Sequence, residues 1–227
     1  MGEMVQFPSN GTGSGYLAKP DLGAGLGLIV IQEWWGLVPH IKDVCDRFGA
    51  EGFTALAPDL YHGKSTKEPD EAGKLMMALN IAEAGREMSG AVDYLLQSDD
   101  VRGAGIGVTG FCMGGGLALV LATQRPDAVK AVVPWYGIIP WVTAQPDWST
   151  LEAAVQGHYA EEDGFFTPGK VRELEQTLTD LDKEVEMFLY PGAGHAFFND
   201  TRPEAYNEDA AQQAWDRTLS FLRSKLG

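Results

Sequence analysis

Between Leu26 and Gln32 the chain is apolar without alternation, as for a parallel strand covered on both faces. The period then changes. Ile41, Val44, Cys45 and Phe48 recur at i, i+3, i+4 and i+7, one stripe of an amphipathic helix, and Pro39 stands where such a helix would start. Phe53–Pro58 reads as a second buried strand. From about Glu71 to Gln97 the pattern is helical, with Leu75, Leu79, Met88, Val92, Leu95 and Leu96 turned inward. Gly85 and Gly90 interrupt it and allow two helices in place of one. Gly105–Phe111 predicts a third strand, followed by a helix to about Gln124. Val129–Trp135, Ala154–His158 and Val185–Tyr190 predict further strands. Val171, Leu174, Leu178 and Leu181 mark one more helix, and Ala211, Trp215, Thr218, Leu219 and Leu222 a C-terminal one. At the start, Glu3–Pro8 and Tyr16–Pro20 read as a hairpin joined by the Gly- and Ser-rich stretch Ser9–Gly15.

Strands alternating with helices imply an α/β fold, a mostly parallel sheet with helices on both faces. A length of 227 residues suits a single domain spanning 1–227. Sites in such sheets lie beyond the carboxyl ends of the strands. The residues placed there are Glu33 and Trp34, Asp59, Cys112, Trp135 to Gly137, Glu161 to Asp163, and His195.

Among these, Gly110-Phe111-Cys112-Met113-Gly114 carries the most specific signal. It closes an apolar strand, opens a helix, and matches the nucleophile-elbow pattern Gly-x-Ser-x-Gly with cysteine in the serine position. So tight a turn needs small neighbours, and the helix that follows directs free N–H groups and its positive end at the sulfur, where negative charge is favoured. A Gly-rich turn around a structural cysteine is the blander alternative. Chain order weighs against it. Elbow hydrolases run nucleophile, acid, histidine. Here Cys112 is followed by Glu161-Glu162-Asp163-Gly164 and then by Gly192-Ala193-Gly194-His195, each after a strand. Asp163, with the shorter side chain, is favoured over Glu162 as the acid that holds the imidazole of His195 in the proton-accepting tautomer.

An oxyanion hole needs two backbone N–H donors. Met113, next after the nucleophile, would supply one, and Trp34, in Gln32-Glu33-Trp34-Trp35-Gly36, the other. Glu33, ionisable at the end of an apolar strand, could simply cap a helix. Its position near a thiol points instead to a part in controlling charge there. Trp35, Tyr136, Phe197 and Arg202 are the expected substrate contacts, and Trp34, Trp135 and Trp141 could also line an apolar pocket.

Charge and composition narrow the partners. A formal net charge of −15 disfavours nucleic acid and anionic membranes, and no apolar run is long enough to span a bilayer. The opening MGEMVQFPSN has neither the basic nor the apolar region of a signal peptide. The two cysteines, Cys45 and Cys112, are too few for a disulfide framework. The expectation is a cytoplasmic protein with free thiols. No histidine spacing suggests a metal, so none is expected, and no cofactor. Of the remaining histidines, His40 and His62 are expected in loops that could reach the rim, and His158 within a strand. A thiol redox role would need a resolving cysteine, and Cys45 falls on an apolar helix face. A non-catalytic binding protein is opposed by the intact order of Cys112, Asp163 and His195. Nothing separates a monomer from a dimer.

Together, Gln32-Glu33-Trp34-Trp35-Gly36, Ala57-Pro58-Asp59-Leu60-Tyr61, Gly110-Phe111-Cys112-Met113-Gly114-Gly115, Glu162-Asp163 and Gly194-His195-Ala196-Phe197 resemble the dienelactone hydrolases, also called carboxymethylenebutenolidases. The resemblance spans nearly the whole chain, in order. It implies an α/β-hydrolase fold, a Cys-His-Asp triad of Cys112, His195 and Asp163, an acyl-enzyme, and a resting thiol turned towards Glu33. Members of the family hold the carboxylate of a small lactone with two arginines, in the regions corresponding to Pro69–Glu71 and to Asn199. Neither place has an arginine here. Arg202, Arg86 and Lys74 are the nearby cations, and the substrate expected is a small ester or lactone, with a broader or less anionic ester favoured over dienelactone itself.

Overall fold

The computed structural model describes residues 1–9, 11–139, 141 and 144–227. Eight strands form one sheet: β1 (Glu3–Ser9), β2 (Gly11–Ala18), β3 (Gly25–Ile31), β4 (Phe53–Pro58), β5 (Val101–Phe111), β6 (Val129–Trp135), β7 (Ala154–Ala160) and β8 (Val185–Tyr190). Their spatial order is β1-β2-β4-β3-β5-β6-β7-β8. β2 is antiparallel to both β1 and β4, and every neighbouring pair from β4 to β8 is parallel.

Helices α1 (Pro39–Ala50) and α6 (Glu208–Leu226) pack on one face. Helices α3 (Ile81–Leu96), α4 (Met113–Gln124) and α5 (Pro168–Asp180) pack on the other. Strand β3 shows why its sequence does not alternate. Leu28 and Val30 join the core beneath α1 and α6, whereas Ile29 and Ile31 join the opposite one. All four are fully buried, a gain of about 1.5–3 kcal/mol each over exposure. Helix α4 is buried from Met113 to Thr123, so its sequence is apolar all round.

Several expectations shift. The stretch Ser9–Gly15 is largely strand: β2 begins at Gly11, and the pairing with β1 runs from Glu3↔Leu17 to Ser9↔Gly11, with Asn10 outside the described residues. Ladder hydrogen bonds override the turn preference of Gly and Ser. The helical stretch is two helices, α2 (Pro69–Ala78) and α3, but the break is not at a glycine. Leu79 turns extended and Asn80 caps α3, its side chain accepting from Ala82 N–H at 3.1 Å and Glu83 N–H at 3.3 Å. Gly90 lies inside α3, where a Cβ would come within 2.5 Å of the Pro8 carbonyl oxygen. Its place there reflects the close approach of β1. Leu96 and Leu181, expected inward, are exposed at helix ends. His40 is not in a loop; it is the second residue of α1 and buried.

No helix among the described residues is long and apolar enough to cross a membrane.

Candidate active site

Parallel register brings the strand ends together. Ile31 of β3 pairs with Gly110 of β5, and Phe111 pairs with Trp135 of β6. Glu33, Cys112 and Tyr136, each just past a strand, therefore share one edge of the sheet. Cys112 adopts φ 54° and ψ −117°, a conformation that costs a non-glycine residue on the order of 1–3 kcal/mol. The turn closes because its neighbours are small. A Cβ on Gly110 would collide with the Gly114 carbonyl, and one on Gly114 would lie 2.5 Å from the carbonyl oxygens of both Ile31 and Gln32.

The loops after β7 and β8 are joined by backbone bonds from Glu161 N–H to the Tyr190 carbonyl (3.1 Å) and from Glu162 N–H to the Ala193 carbonyl (3.0 Å). The same bonds leave the side chains of Glu161 and Glu162 exposed and turn Asp163 inward. His195 Nδ1 lies 2.7 Å from Asp163 Oδ2, and His195 Nε2 lies 3.2 Å from Cys112 Sγ. Asp163 Oδ1 accepts from the N–H groups of Phe165 (2.7 Å) and Phe166 (3.0 Å). Burial works against charge on Asp163, but these bonds, led by the one to His195, hold its carboxyl below the usual range. Burial likewise opposes protonation of His195. Asp163 and Cys112 outweigh it and push the imidazole up to about 10. Such an array favours an imidazolium between carboxylate and sulfur.

Glu33 is fully buried, and burial pushes its carboxyl up to about 7, tempered by His195, Asn199 and Arg202. Its partner is Asn199, whose Nδ2 donates to Glu33 Oε2 at 2.9 Å. The expected orientation of the thiol towards Glu33 is not the one found: Sγ lies 3.2 Å from His195 Nε2, and the hydrogen bond of Glu33 is to Asn199.

Met113, the first residue of α4, has no acceptor one turn back for its N–H, and Trp34 lies in the turn after β3. Trp34 and Trp35 are half-buried and pack edge to face at 4.9 Å. Trp135 and Phe197 are fully buried in the core, packed against neighbouring aromatic rings. Phe197 and Tyr136, both expected to contact substrate, are both fully buried, their ring centroids 5.3 Å apart. Tyr136 itself is fully buried, edge-on to His195 at 5.4 Å, and its hydroxyl has no hydrogen-bond partner among the described residues. Trp141 packs partly buried against the core of α3 and α4.

Beside Asn199 opens a cavity of about 400 Å³ whose lining includes Trp35, Thr66, Lys67, Thr201 and Arg202. The Arg202 guanidinium stands 5.6 Å from the centre of the Trp35 ring and is bonded to Glu204 at 2.9 Å. Lys74 and Arg86 are exposed on α2 and α3 and are not among the lining residues, whereas Lys67 is. Asp59 is a structural capping residue, its carboxylate accepting from Tyr61 N–H and Gly63 N–H. His158 is locked in the core between Tyr190 and Thr218, each at 2.9 Å. Cys45 is fully buried and burial pushes its thiol up, which leaves it no part in thiol exchange.

Among the described residues no cluster of three metal-ligating side chains occurs. Sequence reasoning passed over two residues. Asn199 was marked only by what it is not, and Phe165 stood unread in a Phe-Phe pair directly after the acidic loop.

This geometry has relatives. The model of the family described as "Dienelactone hydrolase family" matches residues 14–226. The chain belongs to the dienelactone hydrolase family. It is 38% identical to "Protein usf" of Aquifex pyrophilus and 34% identical to a "Putative carboxymethylenebutenolidase" of Aquifex aeolicus, in both cases over 100% of each chain. Among solved structures, the "Putative Dienelactone Hydrolase" of Klebsiella pneumoniae superposes with a TM-score of 0.89 over 98% of each chain, at 28% identity. The mostly parallel sheet with helices on both faces is thus the α/β-hydrolase fold, and this member of the dienelactone hydrolase family is a hydrolase.

Proposed function

We propose that this chain hydrolyses small carboxylic esters or lactones with Cys112 as nucleophile, His195 as base and acid, and Asp163 as the group that orients His195. The observation that carries this reading is the continuous chain Asp163–His195–Cys112, at 2.7 and 3.2 Å, at the carboxyl edge of the sheet. His195 Nε2 takes the thiol proton, and Sγ attacks the carbonyl carbon, forming a carbon–sulfur bond while the carbonyl π bond opens to a tetrahedral oxyanion. The N–H groups of Met113 and Trp34 receive that oxyanion. The carbon–oxygen bond to the alcohol breaks and His195 Nε2 delivers its proton to the departing oxygen. Water then attacks the thioester and gives a proton to His195; the carbon–sulfur bond breaks with its electron pair on sulfur, the acid is released, and the proton returns from His195 to sulfur.

Glu33, poised to change charge near neutrality, controls the charge the site holds before substrate enters. The cavity beside Asn199 is lined by Trp35, Lys67 and Arg202 and not by Cys112 or His195; its link to the site through the Asn199–Glu33 bond supports assigning the acyl portion to it. Its cations offer a carboxylate less than a bidentate arginine pair would, since Arg202 is already engaged by Glu204. That favours weakly charged or neutral esters over a lactone that carries a carboxylate.

The test is the initial rate on phenyl acetate and on a five-membered lactone for wild type and Cys112→Ala, with mass spectrometry of the quenched enzyme. The expected result is turnover by wild type alone and an acyl group on the peptide carrying Cys112. A variant as active as wild type would end the reading.

A further inference from the structure

We propose that Phe165 determines specificity for the alcohol half of the substrate, its ring forming the platform for an aryl or bulky apolar leaving group. The proposal rests on the hydrolase reading above and goes beyond it by assigning one side of the substrate to one residue.

Phe165 is 70% exposed, unusual for so large an apolar side chain, yet its backbone is held at both polar groups. Its N–H donates to Asp163 Oδ1 at 2.7 Å, and its carbonyl accepts from Lys170 Nζ at 3.0 Å. The ring is therefore carried on the same carboxylate that orients His195. It stands edge-on to the imidazole, centroids 5.4 Å apart, with Phe166 tilted against it at 5.9 Å. Tyr136, fully buried, meets the same imidazole from the interior.

These contacts settle where an alcohol can go. The leaving oxygen must come within hydrogen-bond reach of His195 Nε2 to receive its proton. The group attached to that oxygen then emerges beside His195. Of the rings that touch the imidazole, Tyr136 is fully buried and packs on Phe197, whereas Phe165 is exposed, and we place the departing group on the exposed flank. An aryl group there gains an aromatic contact with an exposed ring whose backbone is held on both sides.

The experiment compares kcat/KM for phenyl acetate, methyl phenylacetate and methyl acetate in wild type, Phe165→Ala, Phe165→Leu and Cys112→Ala. The first two substrates carry the aryl group on opposite sides of the ester. Because kcat/KM reports acylation, the alcohol is still present in the step being read. The expected result is a fall of about tenfold in the ratio of phenyl acetate to methyl acetate for Phe165→Ala. Phe165→Leu should recover part of it, and the ratio of methyl phenylacetate to methyl acetate should be unmoved. An equal loss on all three substrates would make Phe165 a loop-building residue and overturn the proposal. A loss confined to methyl phenylacetate, or no loss, would overturn it as well. Failure of the underlying hydrolase reading shows separately, as a Cys112→Ala variant that matches wild type.

Discussion

Asn199 and Glu33, 166 residues apart in sequence, meet in a buried hydrogen bond of 2.9 Å whose direction is fixed by a third residue. Asn199 Oδ1 accepts from the N–H and hydroxyl of Thr201, at 3.1 and 2.6 Å, so the amide can only present its N–H to the carboxyl. A neutral donor thus stands against a buried acid. It satisfies one oxygen without supplying the full charge that would keep the acid ionised, and Glu33 is left able to change charge near pH 7.

Replacing that donor by an acceptor should expose the relationship. In Asn199→Asp two carboxyls face each other in the same buried space. The variant is expected to lose roughly 3 kcal/mol at pH 8, where both would be charged. Much of that should return at pH 5, where one can be protonated and donate. Urea unfolding at the two pH values measures it, and a pH-independent loss would mean that the amide serves packing alone.

Glu33 makes a second pH prediction. Its carboxyl titrates at about 7 in the folded protein against 4.5 for the unperturbed group. Between those values the native state keeps a proton that the unfolded chain has released, so the contribution of Glu33 to stability falls as pH rises from about 4.5 to 7 and is level above. The span is at most roughly 3 kcal/mol. Glu33→Gln removes the titration while its amide oxygen still accepts from Asn199, and its stability should be flatter across that window. A variant with the wild-type slope would assign the slope to other groups.

Asp163→Asn separates orientation from folding. The amide oxygen can still accept from Phe165 and Phe166 N–H, so thermal unfolding should change little. The imidazole, however, loses the partner that selects its tautomer. On the mechanism proposed, kcat/KM for phenyl acetate should fall about 10³-fold or more. A loss below tenfold would place the orienting role elsewhere.

Gly114→Ala tests the elbow. The added methyl would lie 2.5 Å from two carbonyl oxygens of the β3 end, rigid backbone that cannot swing away. A destabilisation of about 1–3 kcal/mol is expected, with loss of esterase rate as the turn is pushed from Glu33 and Trp34. Wild-type stability would show that β3 and α4 are not in such close contact in solution.

Tyr136→Phe should act in the other direction. Its hydroxyl is buried without a partner among the described residues, at a cost of about 1–3 kcal/mol. Deleting it is expected to raise the urea midpoint, and an unchanged midpoint would mean that the folded protein partners the hydroxyl after all.

The elements were legible because burial imposes a period. The unbroken apolar run of β3 and the i, i+3, i+4, i+7 stripe of α1 each follow from which side chains face a core. The elbow was legible because glycines recur at a fixed spacing around Cys112, although the carbonyls that exclude a Cβ at Gly114 belong to the end of β3. The two glycines point to two helices, as found, but the break falls at Leu79–Asn80 and both glycines lie inside α3. Gly90 answers instead to a strand that packs on the helix from 80 residues away.

By itself, then, the sequence determined the alternation of strands and helices, the turn that exposes Cys112, and the order in which cysteine, acid and histidine follow their strands. All of these rest on interactions within a few residues or on a repeating period. Only the tertiary structure shows that Asp163, and not Glu161 or Glu162, meets His195, in a loop bonded through its backbone to the next. It likewise decided that Asn199 partners Glu33, that Phe197 belongs to the core, and that Phe165 stands open beside His195. Those outcomes are set by contacts between segments far apart in the chain, where neither periodicity nor local spacing carries a signal.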